Sequence, residues 1–240
     1  MTTADRLTQA VRNQLGLGRL LPLGGARDGV WISERAAEAV LRRAAEDMHG
    51  VRLDVLRIAL ADPEDTGEAA VPPPPSALPP GPLRVTADFA ATAAEALPTT
   101  ADRLRGLLAT AATEGLGLTV TEVDLRVTSL LDEDAEPPPV RQPEPTRAPE
   151  PGSPDEERVA AAALAVPGVT GLTGTLGGLG RAVHIEERQD EAALPRRHVR
   201  VEIAVSADRR SVEVAREVRE WVGEALADRP TVAVLITAVG

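Results

Sequence analysis

The sequence predicts an α+β protein made of two tandem α-β-β-α-β units in two layers, each a three-stranded sheet with helices on one face. Three observations lead there. Two segments with apolar residues at helical spacing both end in Gly-Val: "EAVLRRAAEDMHGV" (Glu38 to Val51) and "EERVAAAALAVPGV" (Glu156 to Val169). Each is followed by strand candidates whose apolar and polar residues alternate, "LRVTADFA" from Leu83 and "VRVEIAVS" from Val199. Two proline-rich stretches punctuate the chain, at 61–82 and 132–154.

In chain order, Leu7, Val11 and Leu15 share one face of a helix over Ala4 to Leu15. Residues 1–30 are therefore read as an N-terminal helical segment, docked on its own protein in preference to a partner or a membrane surface. The first unit covers 31–131. Its opening helix carries Val40, Leu41, Ala44, Ala45 and Met48 on one stripe and leads into the strand "RLDVLRIAL". A hairpin loop, "ADPEDTGEAAVPPPPSALPPGP" (61–82), then precedes the second strand. Such proline-rich segments are more often spacers than ligands for a partner groove.

A second helix buries Leu104, Leu107, Leu108 and Ala111, and a strand with Val123, Leu125 and Val127 alternating against Asp124, Arg126 and Thr128 closes the unit. Residues 132–154, acidic and proline-rich, read as an extended linker. The second unit, 155–240, repeats the order with "RAVHIEE" as its first strand and a helix striped by Val214, Val218, Trp221, Val222 and Leu226. Its last strand, "TVAVLITAVG", is apolar on both faces, so it must be interior to a sheet or covered by a partner. The duplication further predicts that the two units bury each other within one chain.

The run "EERVAAAALAVPGVTG" (Glu156 to Gly171), the glycine-rich loop after it, the hairpin, "SVEVAREVREWVGEAL" and a Val-rich terminal strand together resemble the alkaline shock protein family of bacterial envelope stress-response proteins. "WISERAAEAVLRRAAEDMHGV" (Trp31 to Val51) is similar to the same opening helix in a more divergent copy. Along the whole chain there is also similarity to streptomycete proteins carrying a nucleopolyhedrovirus P-ten family label, although no sustained heptad pattern is present. The alkaline-shock resemblance implies a non-enzymatic cytoplasmic protein that self-associates and reaches the membrane through an anchored protein partner. It supplies no catalytic residues. The tandem arrangement, the long hairpin loop and the acidic linker depart from the family pattern.

Composition narrows the chemistry. The chain has no Cys, which excludes thiol catalysis, cysteine metal sites and disulfides. Its formal net charge of -11 disfavours non-specific binding to nucleic acid or anionic lipid. Phe89, Trp31 and Trp221 are the only aromatic residues of their kinds and there is no Tyr, so bases have almost no stacking platform. No secretory leader and no run of membrane-span length is visible, which leads to the expectation of a cytoplasmic chain without direct membrane insertion.

Four candidate chemistries can be weighed on residues. "GTLGGLG" (Gly174 to Gly180) follows a helix and precedes a strand, the reverse of a phosphate cradle, and the chain lacks the Lys of a Walker motif. The Gly177 and Gly180 spacing is similar to the loop of RNA-binding KH modules, but there the loop joins two helices beside basic residues. His184 and Glu186 share one strand face, and His198, Arg200 and Glu202 share the next. Symmetrical hairpin pairing would place Glu186 by His198 and His184 by Arg200. A two-histidine carboxylate metal site is the sharper reading, and a solvated polar face with one ion pair the plainer and preferred one. Ser33, Ser153 and Ser211 fall at helix starts, where a hydroxyl accepting an orphan N–H accounts for them.

The sequence therefore points to a scaffold or interaction module, not an enzyme, with no catalytic, cofactor or metal residues assigned. Its expected contact residues are Val159, Ala163 and Val166 on the opening helix of the second unit, and Val232, Val234, Leu235 and Ile236 on the last strand. An RNA-binding KH-like module and a small-molecule-binding protein or enzyme are the rival readings.

Overall fold

A computed structural model describes residues 18–132, 148–175, 180–188 and 196–240. The helix expected over Ala4 to Leu15, most of the linker and Gly177 lie outside them. Nine strands and four α-helices occur among the described residues. Strands β1 (Leu20–Pro22) and β2 (Val30–Ser33) are followed by helix α1 (Glu34–Glu46), strands β3 (Val51–Leu60) and β4 (Leu83–Thr92) and helix α2 (Leu97–Thr110). Helix α2 continues as one π-turn, Ala111–Leu116, into strand β5 (Val120–Leu131). Helix α3 (Pro154–Ala165), strands β6 (Val169–Leu172), β7 (Val183–Arg188) and β8 (Arg196–Val205), helix α4 (Ser211–Ala225) and strand β9 (Thr231–Val239) complete the order.

The strands form two sheets, β3-β4-β5 and β1-β2-β9-β8-β6, with β7 also on β8. Both share one pairing pattern. In the first, β4 is antiparallel to β3 and parallel to β5. In the second, β8 is antiparallel to β6 and β7 and parallel to β9. The Gly-Val helix stops coincide down to single hydrogen bonds. Gly50 and Gly168 adopt left-handed φ values of 74° and 94°. The N–H of Val51 donates to Met48 O and that of Val169 to Val166 O, while Gly50 O accepts from Thr92 N and Gly168 O from Ser206 N.

The sequence expectation fails in the size of the second sheet. It has six strands, not three, because β2 runs parallel beside β9 in the register Val30↔Val234, Trp31↔Leu235, Ile32↔Ile236. Trp31 and Ile32, the first residues of the run that resembles the opening helix, are strand residues ahead of the Ser33 cap, and 20–22 of the N-terminal helical segment are strand as well. The reason is the composition of β9. A strand apolar on both faces needs a neighbour on each edge and a cover on each face, and the chain's own N-terminal hairpin provides the missing edge.

The 61–82 segment provides the cover. It joins β3 to β4 as expected, but it also lies across the back of the second sheet as a strap. Val71 joins Leu20, Trp31, Ala233 and Leu235 in a buried cluster. Leu78 N donates to Leu20 O at 2.8 Å and Ala70 N to Ala26 O at 3.0 Å. Each large apolar side chain buried this way stabilises the fold by roughly 1.5–3 kcal/mol.

On the other side of that sheet a single apolar cluster runs through both halves, from Leu41, Phe89, Leu104 and Leu108 to Val201, Val218 and Ile236. Helix α1 packs against both β3 and β9. The outer face of the three-stranded sheet is polar instead. Arg84 pairs with Glu122 and Arg126 with Asp88, and Thr128 Oγ1 donates to Asp54.

Helix caps follow the sequence at two of three serines. Ser33 and Ser153 accept from Ala36 N and Glu156 N at 3.2 and 3.3 Å. Ser211 is the first residue inside α4, after cap residue Arg210, and its buried hydroxyl has no hydrogen-bond partner among the described residues. Trp221, placed on the buried stripe of α4 by spacing, is 44% exposed.

Candidate functional site

All seven expected contact residues are internal. Val159, Ala163, Val234, Leu235 and Ile236 are fully buried, and Val166 and Val232 nearly so. Val159, Ala163 and Val166 face the core, as do Val232, Val234 and Ile236, while Leu235 lies under the strap. The apolar last strand is thus satisfied within the chain, and it offers no surface to a partner. Apolar content alone could not separate a strand awaiting a partner from one already covered by an N-terminal hairpin some 200 residues away in sequence.

The polar side chains gather on the back face of β7 and β8. The hairpin register pairs His184 with Arg200 and Glu186 with His198, as the symmetrical reading requires. His198 Nδ1 lies 2.8 Å from Thr231 Oγ1 on β9, and His184 Nε2 lies 3.0 Å from Arg181 O. Burial first, and then the adjacent Arg200 guanidinium, hold the His184 pKa below its ordinary value, against the pull of Arg181 O and Glu186. Among the described residues no group of three His, Cys, Asp or Glu side chains is placed to hold a metal ion.

Next on β8 stands Glu202, fully buried. Thr175 donates to its Oε2 from both the backbone N, at 2.7 Å, and Oγ1, at 3.1 Å. Its own main chain accepts from Thr173 N and donates to Ala182 O. Glu202 therefore grips both ends of the glycine-rich segment. Those ends approach so closely that a Cβ on Gly174 would sit 1.5 Å from Gly180 O.

Register explains where this segment sits. The β3–β4 ladder skips from Leu53↔Phe89 to Leu56↔Ala87, leaving Asp88 opposite a bulge. The β8 ladder skips from Leu172↔Ile203 to Val183↔Val201, leaving Glu202 opposite the glycine-rich excursion. Both acids lie four residues before the N–H that caps the glycine stop. The described ends of the glycine-rich stretch, Gly174–Thr175 and Gly180, meet at a fixed point of the sheet beside a buried carboxylate, and the stretch precedes a strand where a phosphate cradle would open a helix.

Arginines converge on the α4–β9 end. A cleft of about 650 Å³ is lined by Glu187, Arg196, Arg197, Asp228, Arg229 and Thr231. Arg197 Nη2 pairs with Asp155 at 2.7 Å, while Arg196 and Arg229 make no ion pair among the described residues. Arg229 has φ 47°, a left-handed conformation uncommon for a side-chain-bearing residue. Sequence reading missed this cleft, because its arginines are divided between β8 and the turn before β9, some thirty residues apart.

No protein-family model and no curated protein matches this chain. Among the described residues no helix is long and apolar enough to cross a membrane.

Proposed function

We propose that the chain is a non-enzymatic scaffold of the alkaline-shock type, acting in envelope homeostasis by self-association and by binding a membrane-anchored protein. The observation that carries this reading is the recurrence of one local design in both halves: a helix stopped by Gly50 or Gly168, each carbonyl then capped by an N–H at the end of the middle strand, that of Thr92 or Ser206. This is the motif on which the family resemblance rests. Duplicating it yields two sheets on a shared core, a frame suited to presenting edges and faces to other proteins. Co-purification of the full chain from native cells, combined with membrane fractionation, tests the proposal. Recovery with a small membrane protein is the expected result, and a wholly cytosolic, partnerless monomer overturns it.

The arginine cleft favours a second reading, a small anionic ligand held by Arg196 and Arg229. A thermal-shift screen of carboxylate and phosphate metabolites separates the two. A shift abolished by Arg229→Ala would favour ligand binding.

A further inference from the structure

We infer that the open edge of β5 pairs with β5 of a second copy, antiparallel about Leu125, joining the two three-stranded sheets into one of six strands. The inference rests on the self-association part of the proposed function and gives it a surface.

Among the described residues the outer sides of β3, β1 and β6 carry hydrogen bonds from other parts of the chain, which leaves the edges of β5 and of the six-residue β7. On β3, Arg42 donates to Leu53 O and Asp54 O, Arg19 to Ile58 O, and Glu34 Oε1 accepts from Ile58 N. The strap bonds to Leu20 O on β1, and Ala148 N bonds to Leu172 O on β6. Strand β7 lies on the same edge of β8 as β6, and the loop that follows it is outside the described residues. Strand β5 is 12 residues long, and among the described residues its free side receives one side-chain bond, Arg105 Nε to Val123 O.

The second half shows what such an edge does. Matching Phe89↔Val127 with Ile203↔Ile236 makes β5 the counterpart of β9, with Leu125 at the position of Val234 and Val127 at that of Ile236. Val234 N donates across to Gly29 O as β2 joins the sheet. The N–H and C=O groups of Val123, Leu125 and Val127 therefore face the open side, consistent with the Arg105 bond to Val123 O. Their side chains lie partly exposed, Val127 to 38%. On β9 the matching residues are buried.

A second copy fits that edge in register. The ladder between β4 and β5 is regular from Glu122 to Val127, between two shifts. Identical strands related by a twofold axis run antiparallel. Centred on Leu125, such a pairing sets Leu125 against Leu125, Val123 against Val127, and Asp124 against Arg126 on the polar face. Apolar meets apolar and charge meets opposite charge from Val123 to Val127. Arg105 must swing off Val123 O, and its exposed side chain can do so.

Charge reversal tests the register. Asp124→Arg sets Arg against Arg twice across the axis, and Arg126→Asp sets Asp against Asp twice. In sedimentation velocity the unaltered full chain should be a dimer, each single variant should dissociate at least roughly tenfold more readily, and an equimolar mixture of the two variants should restore the dimer. Hydrogen exchange of the unaltered chain needs no variant, and the Leu125 and Val127 amides should lose protection on dilution to monomer. A monomer at all concentrations overturns self-association altogether. A dimer that persists in both single variants, with Leu125 exchange insensitive to dilution, leaves self-association standing and overturns the β5 edge.

Discussion

Single residues set the stops and the pH response. Gly50 and Gly168 hold left-handed φ angles, and a Cβ at each would stand 2.7 Å from Thr92 Oγ1 and 3.0 Å from Val214 Cγ2. Gly168→Ala should therefore cost about 1–2 kcal/mol from backbone strain before any crowding, and Gly50→Ala a similar amount. Chemical denaturation of each variant measures this, and a loss below a few tenths of a kcal/mol would show that the helix stop does not need glycine. His184 gives the chain an acid sensitivity. Because burial and Arg200 lower its folded pKa, the unfolded chain binds the proton more readily. Stability from this group is complete above the ordinary histidine value of 6.5 and is lost as pH falls from there through the folded pKa. Melting temperature should fall over that interval, and His184→Gln should flatten the decline. An unchanged profile in the variant would assign it to other groups.

At the scale of elements, the β1–β2 hairpin is the piece that completes the second sheet, and α4 clamps its turn. Arg216 Nε and Nη2 reach the two Asp28 carboxylate oxygens at 2.8 Å each, and Arg219 donates to Arg27 O. The Arg216 hydrogen bond is the main reason that the Asp28 pKa lies below its ordinary value. The pair is partly exposed, so a double-mutant cycle of Asp28→Asn and Arg216→Gln should yield a coupling of about 0.5–1 kcal/mol. Extracting β2 removes far more, since Trp31 and Leu235 lose their shared cluster. A zero coupling would mean that strand pairing alone seats the hairpin. The elements legible in the sequence were those whose burial repeats locally. Strands β3, β4 and β8 alternate, and α1, α2 and α4 carry stripes, although Trp221 sits at the rim of its stripe. Strands β1 and β2, with 3 and 4 residues, are too short for a period, and their partner β9 is remote in sequence. The strap's second task was hidden likewise, because Val71 among prolines and acids carries no pattern until the face it covers is known. The histidine hairpin register was legible because a symmetrical hairpin fixes every pair once its loop is placed. The open β5 edge was not legible, because its residues alternate as any half-buried strand does, and only the contrast with β9 marks it.

For the whole molecule, the decisive question is whether each half can stand alone, and the packing predicts that it cannot. Helix α1 lies against β3 of its own sheet and β9 of the other, and the apolar cluster continues across both. Gly117, at φ 95°, stands where a Cβ would come within 2.3 Å of Val212 Cγ1, so main chain of the first half touches a core residue of the second. A fragment of 148–240 would lose β1, β2 and the strap, exposing Ala233 and Leu235 on one face and the edge amide of Val234. A fragment of 18–132 would keep Leu20, Val30, Trp31 and Ile32 with no β9 to receive them. Expressed separately, each should aggregate or unfold without a cooperative transition, because exposed strand edges flanked by apolar faces template misassembly. Cutting the intact chain within 133–147 should instead leave two pieces that remain together through gel filtration and melt as one unit. Gly117→Ala should lower that common transition, by about 2 kcal/mol or more, through strain and overpacking at the seam. Two separate halves that each sediment as monomers and melt near the temperature of the full chain would show that the shared core contributes little, and that the two halves are merely tethered.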